Sequence, residues 1–173
     1  APILPGFLGY NENIKQYPFD LTKASDLLQT AGWKKNDQGL WVKPLKTTVP
    51  PKKDEKSAQD GSALGGKELP EKFLEISLVT VNDAEHSEVA DIIKEGWVAL
   101  GVSVDVQLVD PSHIKSDSID SRNYQALIYG EIIGSDPDLY PFWHSSQARA
   151  PGLNLAVFSS PQADTLLEEG RQI

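Results

Sequence analysis

Cysteine is missing from this 173-residue chain, which excludes disulfides, thiolate catalysis and cysteine-built metal sites. That absence does not fix a compartment, because many extracytoplasmic bacterial proteins carry no disulfide. Methionine is missing too, even at position 1, and the expectation is an excised piece of a longer precursor. No apolar run has the length that crosses a bilayer, and no charged-then-apolar signal segment opens the sequence. Positive charge is in short supply. The net charge of −9 argues against nucleic acid and anionic membrane surfaces as partners. A glycine-rich phosphate loop is also lacking, since Gly61–Gly66 sits inside a charged segment. The serines form no nucleophile elbow, and His86, His113 and His144 are scattered along the chain.

What is present is a pattern of alternating helices and strands around one core, the natural content of a single domain of this length. Ala1–Asn13 reads as an extended entry loop. A helix is expected over Leu21–Ala31, capped by Asp20 and ended by Gly32, with Leu21, Ala24, Leu27, Leu28 and Ala31 on one face. Trp33 and Trp41 flank Asn36-Asp37-Gln38-Gly39, which predicts a small hairpin pairing the two rings. Pro44–Glu71 differs in composition: five lysines against five acidic residues, four prolines, three glycines and few large apolar side chains. It cannot bury enough surface to offset its ordering entropy and reads as a disordered surface insertion at 44–71.

Beyond the insertion the signals sharpen. Phe73–Val81 reads as a strand, followed by a helix capped by Asn82 or Asp83. Val89, Ile92, Ile93, Gly96, Trp97 and Leu100 share a face of that helix, and Gly101 closes it. Val102, Val104, Val106 and Leu108 then alternate with polar residues at the period of a half-buried strand. Strand–helix–strand implies parallel pairing with a right-handed crossover. Asp110-Pro111 turns the chain into a short polar helical connection, and a strand is expected from Tyr124 to Gly130. Leu155–Phe158 reads as another short strand. Ser160-Pro161 starts a last helix through Arg171 that buries Ala163, Leu166 and Leu167. The fold class is α/β, a mixed sheet with helices packed on it, over 1–173 as one domain.

The chemistry concentrates in Ser121–Gln147. A strand breaks at Gly130 into a loop that gathers Asp136, Pro137, Asp138, Tyr140, Trp143 and His144. Aromatic rings beside carboxylates, just past a strand's carboxyl end, are what a ligand-facing loop of an open α/β sheet needs. Asp136 and Asp138 could act as an acid–base pair in a hydrolase. A proline between them points instead to a turn in which the aspartates bond local N–H groups. With His144 they could also converge on a metal such as nickel, although the spacing matches no strong motif. Ligand binding without catalysis, metal or cofactor is the reading these residues favour. Trp143 and Phe142 either face the ligand or plug the loop from beneath.

Four motifs occur in order along the chain: PILPGFLGYN near the start, DLTKASDLLQTAGW at Asp20–Trp33, the strand-and-loop run ending in PFWHSS, and NLAVFSSPQADTLLEEGR at Asn154–Arg171. In these the sequence resembles the C-terminal lobe of bacterial extracellular solute-binding proteins of the peptide-binding class, which serve ABC importers. The resemblance spans nearly everything except Pro44–Glu71. It implies one lobe of a two-lobe architecture that encloses a peptide or peptide-like solute against an N-terminal lobe of the same parent and delivers it to ABC permease subunits. It implies an extracytoplasmic location, with a possible lipid anchor upstream. It also implies ligand contacts at Tyr129, Gly130 and Glu131 at the strand end, Asp136 and Asp138 in the loop, Trp143 and His144 beside the cleft, and Asn154 anchoring the next segment. One departure stands out. Glu131 occupies a position where peptide binders often carry tryptophan, and Ile132, Ile133 and Gly134 fill the region of their amine-pairing aspartate. Either Glu131 supplies the anionic contact or the ligand lacks a free amine. A ligand-sensing receptor of the same fold is the alternative.

Overall fold

The computed structural model describes residues 3, 5–7, 9–44, 71–132 and 138–172. The chain enters through turns into α1 (Leu21–Thr30), whose first turn is capped by the Asp20 carboxylate accepting from Lys23 N at 2.9 Å. Gly32, at φ +86°, takes the left-handed conformation that ends the helix. A hairpin follows, β1 (Lys34–Lys35) and β2 (Trp41–Pro44). Asn36 builds its turn, with the side-chain oxygen accepting from Gln38 N and Leu40 N at 3.1 and 2.9 Å.

The two tryptophans of the hairpin do not pair with each other. Trp41 is opposite Lys35, and each ring instead carries a lysine, Lys35 Nζ at 5.2 Å from Trp41 and Lys43 Nζ at 5.7 Å from Trp33. Trp41 is 1 % exposed and donates from Nε1 to Leu100 O at 2.7 Å.

The single strand expected over Phe73–Val81 is two: β3 (Glu71–Phe73), antiparallel to β2, and β4 (Glu75–Val81), parallel to both β5 (Ser103–Val109) and β6 (Ala126–Ile128). Leu74 is the joint. Its N–H donates to Trp41 O at 2.9 Å and its carbonyl accepts from Ser103 N at 3.0 Å. N–H and C=O of one strand residue point the same way. So β2 and β5 lie end to end along one side of Glu71–Val81, and β6 covers part of the other. Trp41 N closes the gap by donating to Gly101 O at 3.2 Å. The result is a mixed sheet in two three-stranded parts. Pro44 and Glu71 are cross-strand partners. The expected disordered insertion therefore leaves from and returns to neighbouring strand ends, and its interior, 45–70, lies outside the described residues.

α2 (Ala84–Leu100) links β4 to β5, capped by Asp83 accepting from His86 N at 2.8 Å and closed by Gly101 at φ +98°. Its covered stripe is Ala90, Ile93, Trp97 and Leu100, while Val89 and Ile92 are 40 % and 63 % exposed rather than inward as the spacing predicts. The apolar residues of α2 form a band wider than the surface this chain lays over it. Val102, just before β5, and Val104 and Val106 on it turn inward, whereas Leu108 is exposed.

The connection after Asp110 closes as one wide π-helical turn, Lys115–Ile119. Its Ile114 and Ile119 join Val81 in a buried cluster at the carboxyl ends of the strands, against which Val109, Leu127 and Leu155 pack. No strand forms over Leu155–Phe158, which is a turn. A short helix absent from the sequence-based expectation, α3 (Tyr140–Trp143), precedes a 3-10 turn at Ser145–Gln147. Last comes α4 (Pro161–Gly170), capped by Ser160 accepting from Ala163 N at 3.4 Å. Ala163 and Leu167 are partly covered, but Leu166 is 62 % exposed. None of the described helices is long and apolar enough to cross a membrane.

Candidate functional site

A cavity of about 500 Å³ opens at the carboxyl end of β6. Ligands of open α/β sheets bind at this end of the strands. A wider groove of about 740 Å³ runs past Trp33, Phe73 and Ser103, at the opposite, amino ends of β4 and β5. We therefore take the first as the candidate site.

Its floor is Leu127 and Leu155, continuous with the buried cluster beneath. Tyr129 and Glu131 come from the end of β6, and Phe142 and Trp143 from α3. The opposite wall is the turn Leu155–Val157. Two further lining residues, Arg122 and Tyr124, carried no sequence signal; their place depends on how the turn before β6 packs against the loop around Gly152. Tyr124 donates its hydroxyl to Leu155 O at 2.6 Å, and burial raises its pKa. Arg122, at φ +54°, donates from Nη1 to Ile119 O and from Nη2 to Gly152 O at 2.6 Å, while its Nε is buried without a partner. Desolvation raises the pKa of Glu131 and the nearby Arg122 guanidinium offsets part of that rise.

The wall turn is built by Asn154, which is fully buried. Its Oδ1 accepts from Phe158 N at 3.0 Å, and its Nδ2 donates to the carbonyls of Phe158, His144 and Trp143 at 2.8, 3.1 and 3.4 Å. One amide thus ties the wall turn to the end of α3. The turn it holds is tight enough to keep Val157 at φ +52°, a conformation that β-branched residues rarely adopt.

His144 is also buried. Its Nδ1 accepts from Ser146 N at 3.1 Å, which leaves the ring proton on Nε2, facing Glu168 Oε1 at 3.3 Å. The ring stacks on Tyr140 at 4.2 Å, and the guanidinium of Arg171 covers the Tyr140 ring at 4.1 Å. Arg171 in turn binds Asp138 at 2.6 Å and holds its carboxyl below the usual range. Asp164 accepts from the hydroxyl and N–H of Ser145 at 2.6 and 2.9 Å, the hydroxyl bond being the larger cause of its lowered pKa. These contacts clamp α3 onto α4.

Of the residues singled out from sequence, Tyr129, Glu131 and Trp143 come together in the cavity lining, with Gly130 between the first two. His144, Asn154 and Asp138 have their polar atoms engaged by protein partners. Asp136 lies outside the described residues. Among the described residues no three His, Asp or Glu side chains gather as a metal-holding group.

Gly152 marks how closely the wall is packed. A Cβ there would run into the backbone of Gln147, carbonyl oxygen, Cα and C alike. Gly152→Ala should cost roughly 1–3 kcal/mol, the usual penalty of overpacking against atoms that cannot swing away; thermal unfolding checks it.

Against this geometry stand three comparisons. The family profile for bacterial extracellular solute-binding proteins, family 5 (middle region), matches residues 1–151. The chain belongs to that family. It is a family of solute-binding proteins, extracellular by its description, and not one of enzymes. The oligopeptide-binding protein AppA of Bacillus subtilis is 23 % identical over 163 residues, 93 % of this chain and 25 % of that protein. Its structure with a nonapeptide matches all of this chain and 30 % of its own, with a TM-score of 0.72. NikZ of Campylobacter jejuni, solved with Ni(L-His), matches at a TM-score of 0.68 and 24 % identity, over 95 % of this chain and 28 % of NikZ. An oligopeptide-binding protein of Thermus thermophilus with a pentapeptide matches at 0.71 and 18 %, over 98 % of this chain and 28 % of its own. At these identities the likeness is one of fold. This member of family 5 spans about a quarter of the length of the curated relative it matches.

Proposed function

We propose that this chain is one lobe of a larger extracytoplasmic solute-binding protein, which encloses a peptide or peptide-like solute against its N-terminal lobe and passes it to an ABC permease. The observation that carries this reading is the aromatic-walled cavity at the carboxyl end of β6, open on one side and floored by the domain's own core. Extended peptides are held largely through main-chain bonds, which tolerates varied side chains in the solute. Closure of two lobes on the ligand is the mechanism, with binding energy from both halves and no bond made or broken in the solute. The peptide complexes of the fold relatives support the choice of solute class. A lipid anchor on the parent fits the same role.

Calorimetry of the full-length protein and of the 173-residue chain, side by side with a mixed peptide library, tests this reading. Micromolar or tighter capture is expected for the full-length protein, and weak or no binding for the isolated chain, because half the enclosing surface is then absent. A full-length protein that neither carries peptide on purification nor takes one from the library overturns it.

A further inference from the structure

We propose that Val157 is a specificity-determining residue of the cleft, held in a strained conformation so that its isopropyl group meets a hydrocarbon side chain of the enclosed solute. The inference rests on the ligand-binding reading above and names the kind of solute group that the wall turn Leu155–Val157 takes. Three observations converge on it. First, the strain is local to this cavity. Elsewhere among the described residues the left-handed positions are glycines, Gly6, Gly9, Gly32, Gly39 and Gly101. The two non-glycine residues at positive φ, Arg122 at +54° and Val157 at +52°, both line the cavity. Unfavourable backbone of this kind gathers where a particular side chain is needed. Second, packing within this chain does not account for a valine, since the residue is 51 % exposed. It closes a four-residue turn, its N–H donating to Asn154 O at 3.3 Å, at a position that favours glycine. Third, the turn cannot relax. Asn154 also grips Phe158, Oδ1 accepting from its N–H at 3.0 Å and Nδ2 donating to its carbonyl at 2.8 Å, so bonds to one buried residue bracket Val157 on both sides.

The surroundings name the ligand group. Beside Val157 the lining is Leu155 and Ala156, and the facing wall carries the Phe142 and Trp143 rings. The cavity's guanidinium, Arg122, is already committed to the carbonyls of Ile119 and Gly152. Aliphatic and aromatic surfaces gain by covering hydrocarbon, and these four residues offer no side-chain partner to a hydroxyl or an amide. Strain and affinity are therefore linked at one residue, and relieving the first should weaken the second.

The test uses the full-length protein and two tetrapeptide libraries, one built from leucine, isoleucine and phenylalanine and one from serine, asparagine and glycine, compared by native mass spectrometry. The first library should bind more tightly. Val157→Asn, whose side chain tolerates the left-handed region, should weaken that library roughly four- to fifteen-fold, the worth of one or two buried methyl-sized groups. The same change should raise the unfolding midpoint of the ligand-free protein by about 1–3 °C. Val157→Gly, which adds no polar group, should show the same loss of affinity. Val157→Ile, which keeps the branch and the apolar surface, should keep the preference and gain no stability. Loss of affinity together with a gain in stability is the signature, because a residue that merely packs the wall would lose both. Equal binding of the two libraries, a preference that survives Val157→Asn and Val157→Gly, or a midpoint that fails to rise in Val157→Asn overturns the assignment and leaves the solute-binding role intact. Failure of both libraries to bind overturns both.

Discussion

Asn154→Asp should be the most damaging near-isosteric change in the site, costing roughly 3–5 kcal/mol as an uncompensated buried charge. The side chain is fully buried and its Nδ2 faces three backbone carbonyls within 3.4 Å. The orientation of the amide is fixed by Phe158 N, which can only donate and therefore identifies the oxygen. Replacing the nitrogen with a carboxylate oxygen turns three attractive contacts into repulsive ones. A typical domain is stable by about 5–15 kcal/mol, so one atom would remove a large share. The pH dependence has a definite sign. The introduced carboxyl is destabilised in its charged form, so its pKa is raised on folding. Its penalty is small below the unfolded-state pKa of about 3.9 and grows as pH rises through the interval up to the folded value. Urea unfolding at acid and neutral pH measures this. A loss under about 1 kcal/mol, the scale of an ordinary point change, or one that does not vary with pH, contradicts the assigned orientation. Ligand affinity should fall with stability, since the same amide holds Leu155–Val157 as a cavity wall.

Where a structural feature is written in neighbouring residues, the sequence reads it well. Asp20, Asp83 and Ser160 cap the three long helices, Gly32 and Gly101 end two of them, and the α2–β5 junction follows from helical spacing giving way to alternation. Each depends on the backbone within a turn or two. Features set by distant partners are less legible. The division of Glu71–Val81 at Leu74 exists because β2 and β5 share one side of that segment, and no residue within it announces this. Trp33 and Trp41 are placed by register, and the observed register brings a lysine to each ring. Val89 and Ile92 have the hydrophobicity of inward residues and remain exposed, because burial is decided by what lies opposite.

The site follows the same division. Tyr129, Glu131 and Trp143 could be located because a strand end and the loop after it are sequence-local. Arg122 and Tyr124 could not, since they reach the cavity through contacts with Gly152 and Leu155, thirty-odd positions away. Leu155–Phe158 is apolar and β-favouring, and composition alone makes it a strand. The Asn154 amide takes the N–H and C=O of Phe158 and makes it a turn. A buried polar side chain that satisfies several backbone groups outweighs a weak strand propensity.

Gly101→Ala should cost roughly 2–5 kcal/mol, from two independent causes. The residue sits at φ +98°, where an L side chain pays about 1–2 kcal/mol. Its new Cβ would also collide with the carbonyl oxygen of Gly39, and overpacking against backbone adds about 1–3 kcal/mol. The collision has wide reach because of what meets there. Gly101 ends α2, its carbonyl accepts from Trp41 N, and its neighbour Leu100 accepts from the Trp41 indole. Retreat of Gly101 would therefore loosen the only described hydrogen bonds that run from the hairpin strand β2 to the α2–β5 corner, and the two halves of the sheet would begin to part. A control separates the causes. Gly39→Ala, at φ +78° with open space where its Cβ would sit, meets the conformational penalty alone. It should cost about 1–2 kcal/mol. If denaturant unfolding found the two variants equally stable, the close approach of Gly39 to Gly101 would carry no energetic weight, and the junction would have to be held by Leu74 instead.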